Sequence, residues 1–263
     1  IQPSELVKIT IILALAKFYH DIKFENIKKI SFLFFSFLIL IIPFAFVVIQ
    51  PDLGTSLSII MLGAFILFVA GVRIWKFLLG IMATIISIPI FLQYIKPYQR
   101  DRIVSFLNPE SDPLGQGYQL IQSKIALGSG GATGKGFLQG TQSYLEYLPE
   151  KQTDFIFTLI GEEFGFLGTI FIILIFILLI AVCYFISIKC FHTFGRILAL
   201  GVASNVFIYV FMNIAMVSGL MPVVGIPLPL ISYGGSVMLS IMISMGLVLN
   251  VELNYNLKKL HNA

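Results

Sequence analysis

The chain has 263 residues, of which 58% are hydrophobic and 11% are charged, with a net charge of +4. A soluble domain carries roughly 25% charged residues, so this composition excludes an ordinary soluble globular protein. The charges cluster between long apolar runs, which is typical of a polytopic helical membrane protein and not of the alternating strands of a membrane barrel. The 2 cysteines are too few for a disulfide framework.

Seven apolar windows each contain the roughly 18 to 25 residues that are needed to cross the hydrocarbon core of a bilayer. They lie at 3–20, 30–49, 53–71, 74–95, 156–187, 196–217 and 231–251. We therefore predict an all-α transmembrane fold, in a single domain that covers residues 1–263. Because the chain begins at Ile1 without Met and the number of windows is odd, we expect further spans upstream.

Basic residues in the short connections predict the orientation of these spans. They are Lys17, Lys23, Lys28, Lys29, Arg73, Lys76, Lys189, Arg196, Lys258 and Lys259. The connections at 50–53 and 218–230 contain neither Lys nor Arg. By the positive-inside rule, the basic connections and the C-terminus are cytoplasmic, and residues 1–5, 50–52, 96–154 and 218–230 face outside.

The loop at 96–154 is far longer than the roughly 15 residues beyond which loops are uncommon unless they are functional or disordered. Its apolar periodicity predicts short amphipathic helices on the outer membrane surface, and we interpret the loop as an ordered cap that handles substrate. Its glycine-rich stretch 128–136 resembles a phosphate-binding loop. However, Lys135 is followed by Gly136 rather than by Ser or Thr, so we expect a flexible basic turn that closes over a ligand.

Ionisable residues in or near the apolar windows mark candidate functional positions, because a charge inside a bilayer costs at least roughly 2.5 to 3.5 kcal/mol. They are Glu5, Lys8, Asp52, Asp154, Glu162 and Glu163, all on the predicted outer side. Structural alternatives remain open for each of them. Glu5 and Lys8 are spaced to neutralise one another, and the aspartates could cap helix starts.

The two glutamates 162 and 163 are better explained by packing or by a polar network. Positions 154, 158, 161, 165 and 168 share one helix face, and small residues on a face favour close helix packing. Prolines and glycines interrupt segment 218–235, which favours an internal cavity without choosing between transport and catalysis. The 3 histidines have no metal-ligand spacing.

Several segments together carry a family resemblance. They are Gln2-Pro3-Ser4-Glu5 with Lys8, Gln50-Pro51-Asp52-Leu53-Gly54-Thr55, Asn108-Pro109 with Asp112-Pro113 and Gly117-Tyr118-Gln119, Leu148-Pro149-Glu150 with Thr153-Asp154-Phe155-Ile156-Phe157, and Pro227 to Ser236. From end to end the chain resembles the SEDS family of bacterial cell-wall polymerases (shape, elongation, division and sporulation). Stretches 128–137 and 216–226 look like its elongation branch, RodA, rather than the division branch, FtsW.

The resemblance implies a ten-span peptidoglycan glycosyltransferase of which this chain would supply the last seven spans. It would polymerise lipid II at the outer face of the cytoplasmic membrane, with inversion and release of undecaprenyl pyrophosphate. Its implied partners are a class B penicillin-binding protein transpeptidase, other elongation-complex membrane proteins and membrane lipid. No nucleic-acid partner is expected.

The resemblance also assigns roles within the site. Asp154 would be the catalytic base, with Glu150 in the same motif. Lys8, Arg102 and Lys135 are the candidate cations for the pyrophosphate. Glu5 and Asp52 would orient Lys8, bind sugar hydroxyls or hold a divalent ion such as Mg²⁺, and Gln122 and Ser123 would bind sugar or peptide.

One departure from the family pattern concerns residue 152. The family motif usually has His two positions before the Asp, whereas this chain has Gln152, which cannot titrate near neutral pH and so puts a proton relay there in doubt. A lipid II flippase and a scaffold that presents the transpeptidase remain alternative functions.

Overall fold

The computed structural model describes residues 2–22, 30–94, 97–112, 115–144 and 150–261, and among these residues the regular structure is entirely helical. Several positions used in the sequence analysis lie outside the described residues. They are Ile1, Lys23, Lys28, Lys29, Pro113, Leu148 and Pro149, together with position 95 of the fourth window and positions 96, 114 and 145–147 of the predicted loop.

Seven of the helices coincide with the seven predicted windows, so the all-helical polytopic fold class is confirmed. They are α1 (Pro3–His20), α2 (Ile30–Ile49), α3 (Leu53–Val69), α4 (Ile74–Tyr94), α8 (Ile156–Lys189), α9 (Thr193–Val217) and α10 (Gly235–His261). The last of them begins at Gly235 rather than at the predicted residue 231, because the interrupted segment extends to Gly234.

The predicted outer loop contains the shorter helices. They are α5 (Pro97–Leu107), a 3₁₀ turn (Pro109–Ser111), α6 (Gln116–Ser129) and α7 (Thr141–Tyr144). Most of the described part of this loop is therefore helical, as its apolar periodicity predicts.

Four helices of the described chain are long and apolar enough to cross a bilayer: α2, α8, α9 and α10. Helix α3 and the apolar part Ile74–Ser87 of α4 are shorter, and α1 is less hydrophobic because it contains Glu5, Lys8 and Lys17. Large apolar side chains such as Phe34, Phe46 and Leu178 are exposed along these helices. Such exposure is what a bilayer permits and water opposes, so the chain is a multi-pass membrane protein.

The chain forms two compact units. The first unit comprises residues 1–81, 177–208 and 235–263, and the second comprises 82–176 and 209–234. In the first unit α1 packs against α2, α3 and α10. The Tyr19 hydroxyl lies 2.7 Å from the Ser36 hydroxyl, which satisfies both buried groups between α1 and α2.

The second unit is organised around a break in α8. Gly165 has φ 66° and ψ −161°, so the helical hydrogen-bond pattern is interrupted at this residue. A glycine is required there because the φ is positive and because a Cβ would collide with the backbone of Ala132 and Gly134. The break frees two carbonyl groups before it and two amide groups after it.

The glycine-rich stretch 128–136 satisfies those freed groups. Four backbone hydrogen bonds of 2.9–3.1 Å join it to α8: Lys135 N–H to Glu162 O, Gly136 N–H to Glu163 O, Phe166 N–H to Gly131 O, and Leu167 N–H to Ala132 O. The stretch is therefore packed into the second unit. It is not the flexible, ligand-closing turn that the sequence analysis expected, because its backbone is used to complete a broken helix.

Candidate functional site

Asp52 lies in the first unit at the start of α3, where it caps the helix. Its Oδ1 accepts a hydrogen bond of 2.9 Å from the Thr55 amide, and its Oδ2 accepts one of 3.3 Å from Gln2 Nε2. The backbone N–H of Gln2 donates to Ser236 Oγ at 3.0 Å. The capping alternative for Asp52 is thus confirmed, and segments from three parts of the family pattern meet at Gln2.

Glu5 and Lys8 form a buried ion pair on α1. Lys8 Nζ lies 2.8 Å from Glu5 Oε1, and the two side chains are 1% and 4% exposed respectively. The mutual neutralisation that their spacing predicts is therefore present. A substrate anion that binds Lys8 has to share its ammonium group with Glu5.

Glu5 and Asp52 are the carboxylates that the sequence analysis offered to a divalent ion. Mg²⁺ is bound in proteins by one or two carboxylates together with substrate phosphates and water. Here both carboxylates already accept hydrogen bonds from protein donors, and one is paired with a lysine. Within the described ranges, no three His, Cys, Asp or Glu side chains come together. This donor set does not fit a preformed metal site.

Asp154 lies in the second unit, in the turn just before α8. Burial raises the pKa of its carboxyl group from 3.8 to about 6, and the negative charge of Glu150 adds to this increase. No donor on the described part of the chain forms a hydrogen bond with the carboxylate, so Asp154 does not cap α8 through its side chain. The carboxylate is thus poised to accept a proton near neutral pH.

The backbone of this turn is held at three successive carbonyl groups. Gln152 O accepts from the Tyr233 amide at 2.9 Å, Thr153 O from Ser232 Oγ at 2.6 Å, and Asp154 O from Asn213 Nδ2 at 2.8 Å. Two of these donors belong to the interrupted segment 218–234, and the third lies on α9. Residues 152–154 are called the catalytic turn, after the role that the family resemblance implies for Asp154.

Gly225 lies close to the Asp154 carboxylate. Its φ is +72°, and a Cβ at this position would lie 3.2 Å from Asp154 Oδ2. The absence of a side chain at Gly225 leaves room for the carboxylate, and the left-handed backbone conformation favours glycine here.

Glu150 and Ser123 have partners within the second unit. Glu150 Oε2 accepts from the Thr153 hydroxyl at 2.8 Å, which leaves the exposed Glu150 close enough to act on Asp154. Ser123 is 0% exposed, and its hydroxyl bonds Thr158 Oγ1 at 2.7 Å and Val217 O at 2.8 Å. Its predicted contact with substrate is not supported, because the hydroxyl is buried and bonded within the protein.

Lys135, the third predicted phosphate ligand, is bound to α8. Its Nζ lies 2.8 Å from Glu162 Oε1, which also accepts hydrogen bonds from the Thr141 hydroxyl at 3.1 Å and the Gln142 amide at 3.0 Å. The polar-network interpretation of Glu162 is confirmed. The ammonium group of Lys135 serves this network in the described structure.

Arg102 and Gln122 are partly exposed, on α5 and α6 respectively. Within the described chain, Arg102 makes no ion pair. The other two predicted phosphate ligands, Lys8 and Lys135, each form an ion pair with a glutamate.

The predicted site residues are divided between the two units. Glu5, Lys8 and Asp52 belong to the first unit, and Arg102, Gln122, Ser123, Lys135, Glu150 and Asp154 belong to the second. A cavity of about 460 Å³ in the first unit is lined by none of them; its lining includes Lys17, His20 and His192. A single outward cavity that joins both groups stays a prediction.

Sequence reasoning missed Asn213, Gly225 and Ser232. The interrupted segment was interpreted only as the wall of a cavity, although it holds the catalytic turn. A signal for Asn213 was present, because an amide in a long apolar helix has to find hydrogen-bond partners inside the protein. Nothing in the sequence indicated which partners it would find.

Comparisons with known proteins agree with the resemblance. The family model for FtsW, RodA and SpoVE, described as "Cell cycle protein", matches residues 1–257. The chain is 45% identical over 255 residues to the peptidoglycan glycosyltransferase MrdB of Escherichia coli K12, covering 95% of this chain and 68% of that protein. It is 42% identical over 254 residues to stage V sporulation protein E of Bacillus subtilis, covering 96% and 68%.

Two solved structures are also similar to this chain. One, described as showing structural coordination of polymerization and crosslinking by a peptidoglycan synthase complex, matches with a TM-score of 0.80 and 33% identity, over 97% of this chain and 70% of that one. The rod shape determining protein RodA of Thermus thermophilus matches with a TM-score of 0.66 and 25% identity, over 97% and 66%. The chain belongs to the SEDS family, the FtsW/RodA/SpoVE cell cycle proteins.

Proposed function

We propose that this chain is a peptidoglycan glycosyltransferase that polymerises lipid II into glycan strands during cell elongation. Its curated relatives include proteins named peptidoglycan glycosyltransferase, among them MrdB. The observation that carries the proposal is the partly buried Asp154 carboxylate, whose pKa is raised to about 6. An inverting glycosyl transfer needs a general base that activates the acceptor hydroxyl group. A carboxylate with a pKa near the working pH is suited to that role.

In the reaction, Asp154 acts as general base toward the acceptor. It removes the proton from the 4-hydroxyl group of the acceptor GlcNAc, and that oxygen attacks the anomeric carbon of the donor MurNAc. The new glycosidic bond forms with inversion as the bond from the anomeric carbon to the pyrophosphate oxygen breaks. The leaving group, undecaprenyl pyrophosphate, keeps the electron pair of that bond, and the proton on Asp154 passes to solvent.

The developing charge on the pyrophosphate needs cationic donors. Arg102 is the first candidate, because it is partly exposed and the other two predicted cations are engaged by carboxylates. Lys8 and Lys135 can contribute by sharing their ammonium groups. Gln122, which is partly exposed on α6, is the candidate contact to sugar or peptide.

We further propose a transpeptidase partner and an outward-facing site. One structural neighbour is described as a complex that coordinates polymerization with crosslinking, which supports a class B penicillin-binding protein as the partner of this chain. Other elongation-complex proteins and membrane lipid complete the expected surroundings. The distribution of basic residues supports a site that faces the periplasm or exterior and a cytoplasmic C-terminus.

The alternative functions are a lipid II flippase and a transpeptidase scaffold. The flippase was motivated by the interrupted segment and by the charges of the predicted cavity. In the structure, segment 218–234 donates hydrogen bonds to the catalytic turn. That contact explains the broken segment without a transport path, so polymerisation is the better supported function.

The test is polymerisation of fluorescently labelled lipid II by the purified protein in the presence of a catalytically inactive transpeptidase. We expect glycan strands from the wild type and none from Asp154→Asn. Asp21→Asn, an exposed carboxylate at the other predicted side of the membrane, is the matched control and should polymerise normally. Transfer of labelled lipid II across vesicles without glycan formation would favour a flippase, and the absence of both activities would favour a scaffold.

A further inference from the structure

Asn213 is completely buried on α9 and donates both of its amide hydrogens to backbone carbonyl groups. Its Nδ2 lies 2.8 Å from Asp154 O and 2.7 Å from Ile226 O. The two acceptors determine the orientation of the amide, since a rotated amide would place its oxygen against both carbonyls. Asn213 therefore joins the catalytic turn to the segment that contains Gly225.

This placement has a cost that simple packing does not explain. The Oδ1 atom of Asn213 is buried and has no hydrogen-bond partner in the described part of the protein. A buried acceptor without a partner is unfavourable, and an apolar residue of similar size would avoid the penalty. The two donated hydrogen bonds compensate for this penalty. They join the catalytic turn, which carries Asp154, to the segment 218–234.

Ser232 provides a second, independent connection. Its hydroxyl donates to Thr153 O at 2.6 Å and accepts from the Leu228 amide at 2.7 Å. It thus fixes the interrupted segment and the catalytic turn through one oxygen atom. Because Asn213 and Ser232 bind neighbouring carbonyls, movement of the turn has to break both contacts.

We propose that Asn213, together with Ser232, is a positioning residue that holds the Asp154 carboxylate against Gly225 in the geometry needed to deprotonate the acceptor sugar. The proposal rests on the proposed polymerase function and deepens it. The hydrogen bonds of both side chains are to backbone groups, so both act through the backbone of the catalytic turn. The contacts of Asn213 predict that it controls both the location of the base and how far water is excluded from it.

The charges around Asp154 show what loosening the turn would do. The charged residues just before the catalytic turn are Glu150 and Lys151, and Glu150 raises the pKa of Asp154. The packed segment 218–234 and the end of α9 from 209 to 217 contain no charged residue, and Tyr233 and Tyr209 are their titratable groups. Burial is the larger cause of the raised pKa, so exposing the carboxylate to water should lower it.

The experiment compares Asn213→Ala with Asn205→Ala, which removes another buried asparagine from the same helix. Misplacing a catalytic group by about 1 Å costs about 100-fold in rate, so we expect kcat to fall by about 10- to 100-fold in Asn213→Ala. The KM for lipid II should change little, because substrate contacts remain. The pH midpoint of kcat should move below about 6, toward the ordinary range of an aspartate. Asn205→Ala should retain the wild-type midpoint.

Ser232 keeps the proposal testable if Asn213→Ala does not fold. Ser232→Ala should lower kcat and the pH midpoint in the same direction, whereas Ser232→Thr, which retains the hydroxyl, should restore both. The proposal is overturned if folded Asn213→Ala, or Ser232→Ala in its place, keeps the wild-type kcat and midpoint. A role in folding alone would reduce the yield of folded protein and leave the midpoint unchanged.

A second measurement separates this inference from the proposed function. Infrared difference titration against Asp154→Asn reports the pKa of the Asp154 carboxyl group without any turnover. If the wild type does not polymerise lipid II but Asn213→Ala still lowers this pKa, the polymerase function fails and the positioning contact stands. If the wild type polymerises lipid II and the pKa of Asp154 is the same in the wild type and in Asn213→Ala, only the positioning inference fails.

Discussion

Replacing Lys135 by Met should detach the glycine-rich stretch from the break in α8. The ammonium group of Lys135 lies 2.8 Å from a Glu162 carboxylate that is 0% exposed, while the lysine itself is 26% exposed. Removing one partner of a buried ion pair destabilises a protein by about 3 to 5 kcal/mol. Because Lys135 is partly exposed, we expect a loss of stability of about 3 kcal/mol. At about 1.4 kcal/mol per factor of ten, local opening becomes roughly 100-fold more frequent.

The double variant Lys135→Met, Glu162→Gln should recover most of this loss. A glutamine at position 162 has no charge to neutralise, and its carbonyl can still accept from the Thr141 hydroxyl and the Gln142 amide. We therefore expect the double variant to lie within about 1 kcal/mol of the wild type.

Hydrogen exchange of the Lys135, Gly136, Phe166 and Leu167 amides measures the detachment, because these amides form the hydrogen bonds between the stretch and α8. The Lys135→Met variant keeps the backbone amide at position 135, so the same four amides can be compared in all the proteins. Unchanged exchange in Lys135→Met, or a double variant as unprotected as the single one, would refute the structural role. Lost polymerisation that the double variant fails to restore would instead support the predicted contact of Lys135 with pyrophosphate.

Three further outcomes follow from the site. Glu150→Gln removes the charge that assists burial in raising the Asp154 pKa, so the pH midpoint of kcat should move below about 6 while staying above 3.8, and an unchanged midpoint would contradict this. Gly225→Ala adds a Cβ at 3.2 Å from Asp154 Oδ2 and about 1 to 2 kcal/mol of backbone strain, so polymerisation and thermal stability should both fall. Gly128→Ala, which meets open space, is its control. Chelation of divalent cations should leave the polymerisation rate unchanged, because the carboxylates of Glu5 and Asp52 already accept hydrogen bonds from protein donors. A loss of rate that added Mg²⁺ restores would show that the reaction uses a metal ion.

The fold could be predicted largely because bilayer physics acts on simple properties of the sequence. Apolar windows of sufficient length place the seven long helices, and the buried pair Glu5 and Lys8 and the capping Asp52 follow from local spacing along a helix. These features depend on residues close together in the chain, so a pattern of a few residues is enough to predict them.

The remaining features depend on contacts between distant segments. The glycine-rich stretch looks flexible in sequence, and only the break at Gly165 explains why its backbone is bound. In the same way, Asn213 and Ser232 are 59 and 79 residues from the carbonyls that they hold. No local periodicity encodes such pairings, and for this reason the residues that hold the catalytic turn were missed. The role of Asp154 was proposed from the family resemblance and stays a prediction.

The pH dependence of lipid II polymerisation, measured for the wild type beside Asp154→Asn, tests the central claim most directly. Since a general base acts only when deprotonated, the wild-type rate should rise through a midpoint near pH 6, the pKa of the Asp154 carboxyl group. Asp154→Asn, although folded, should form no glycan strands at any pH. A wild-type rate that does not change across this range, or strand formation by Asp154→Asn at a rate comparable with the wild type, would contradict the account.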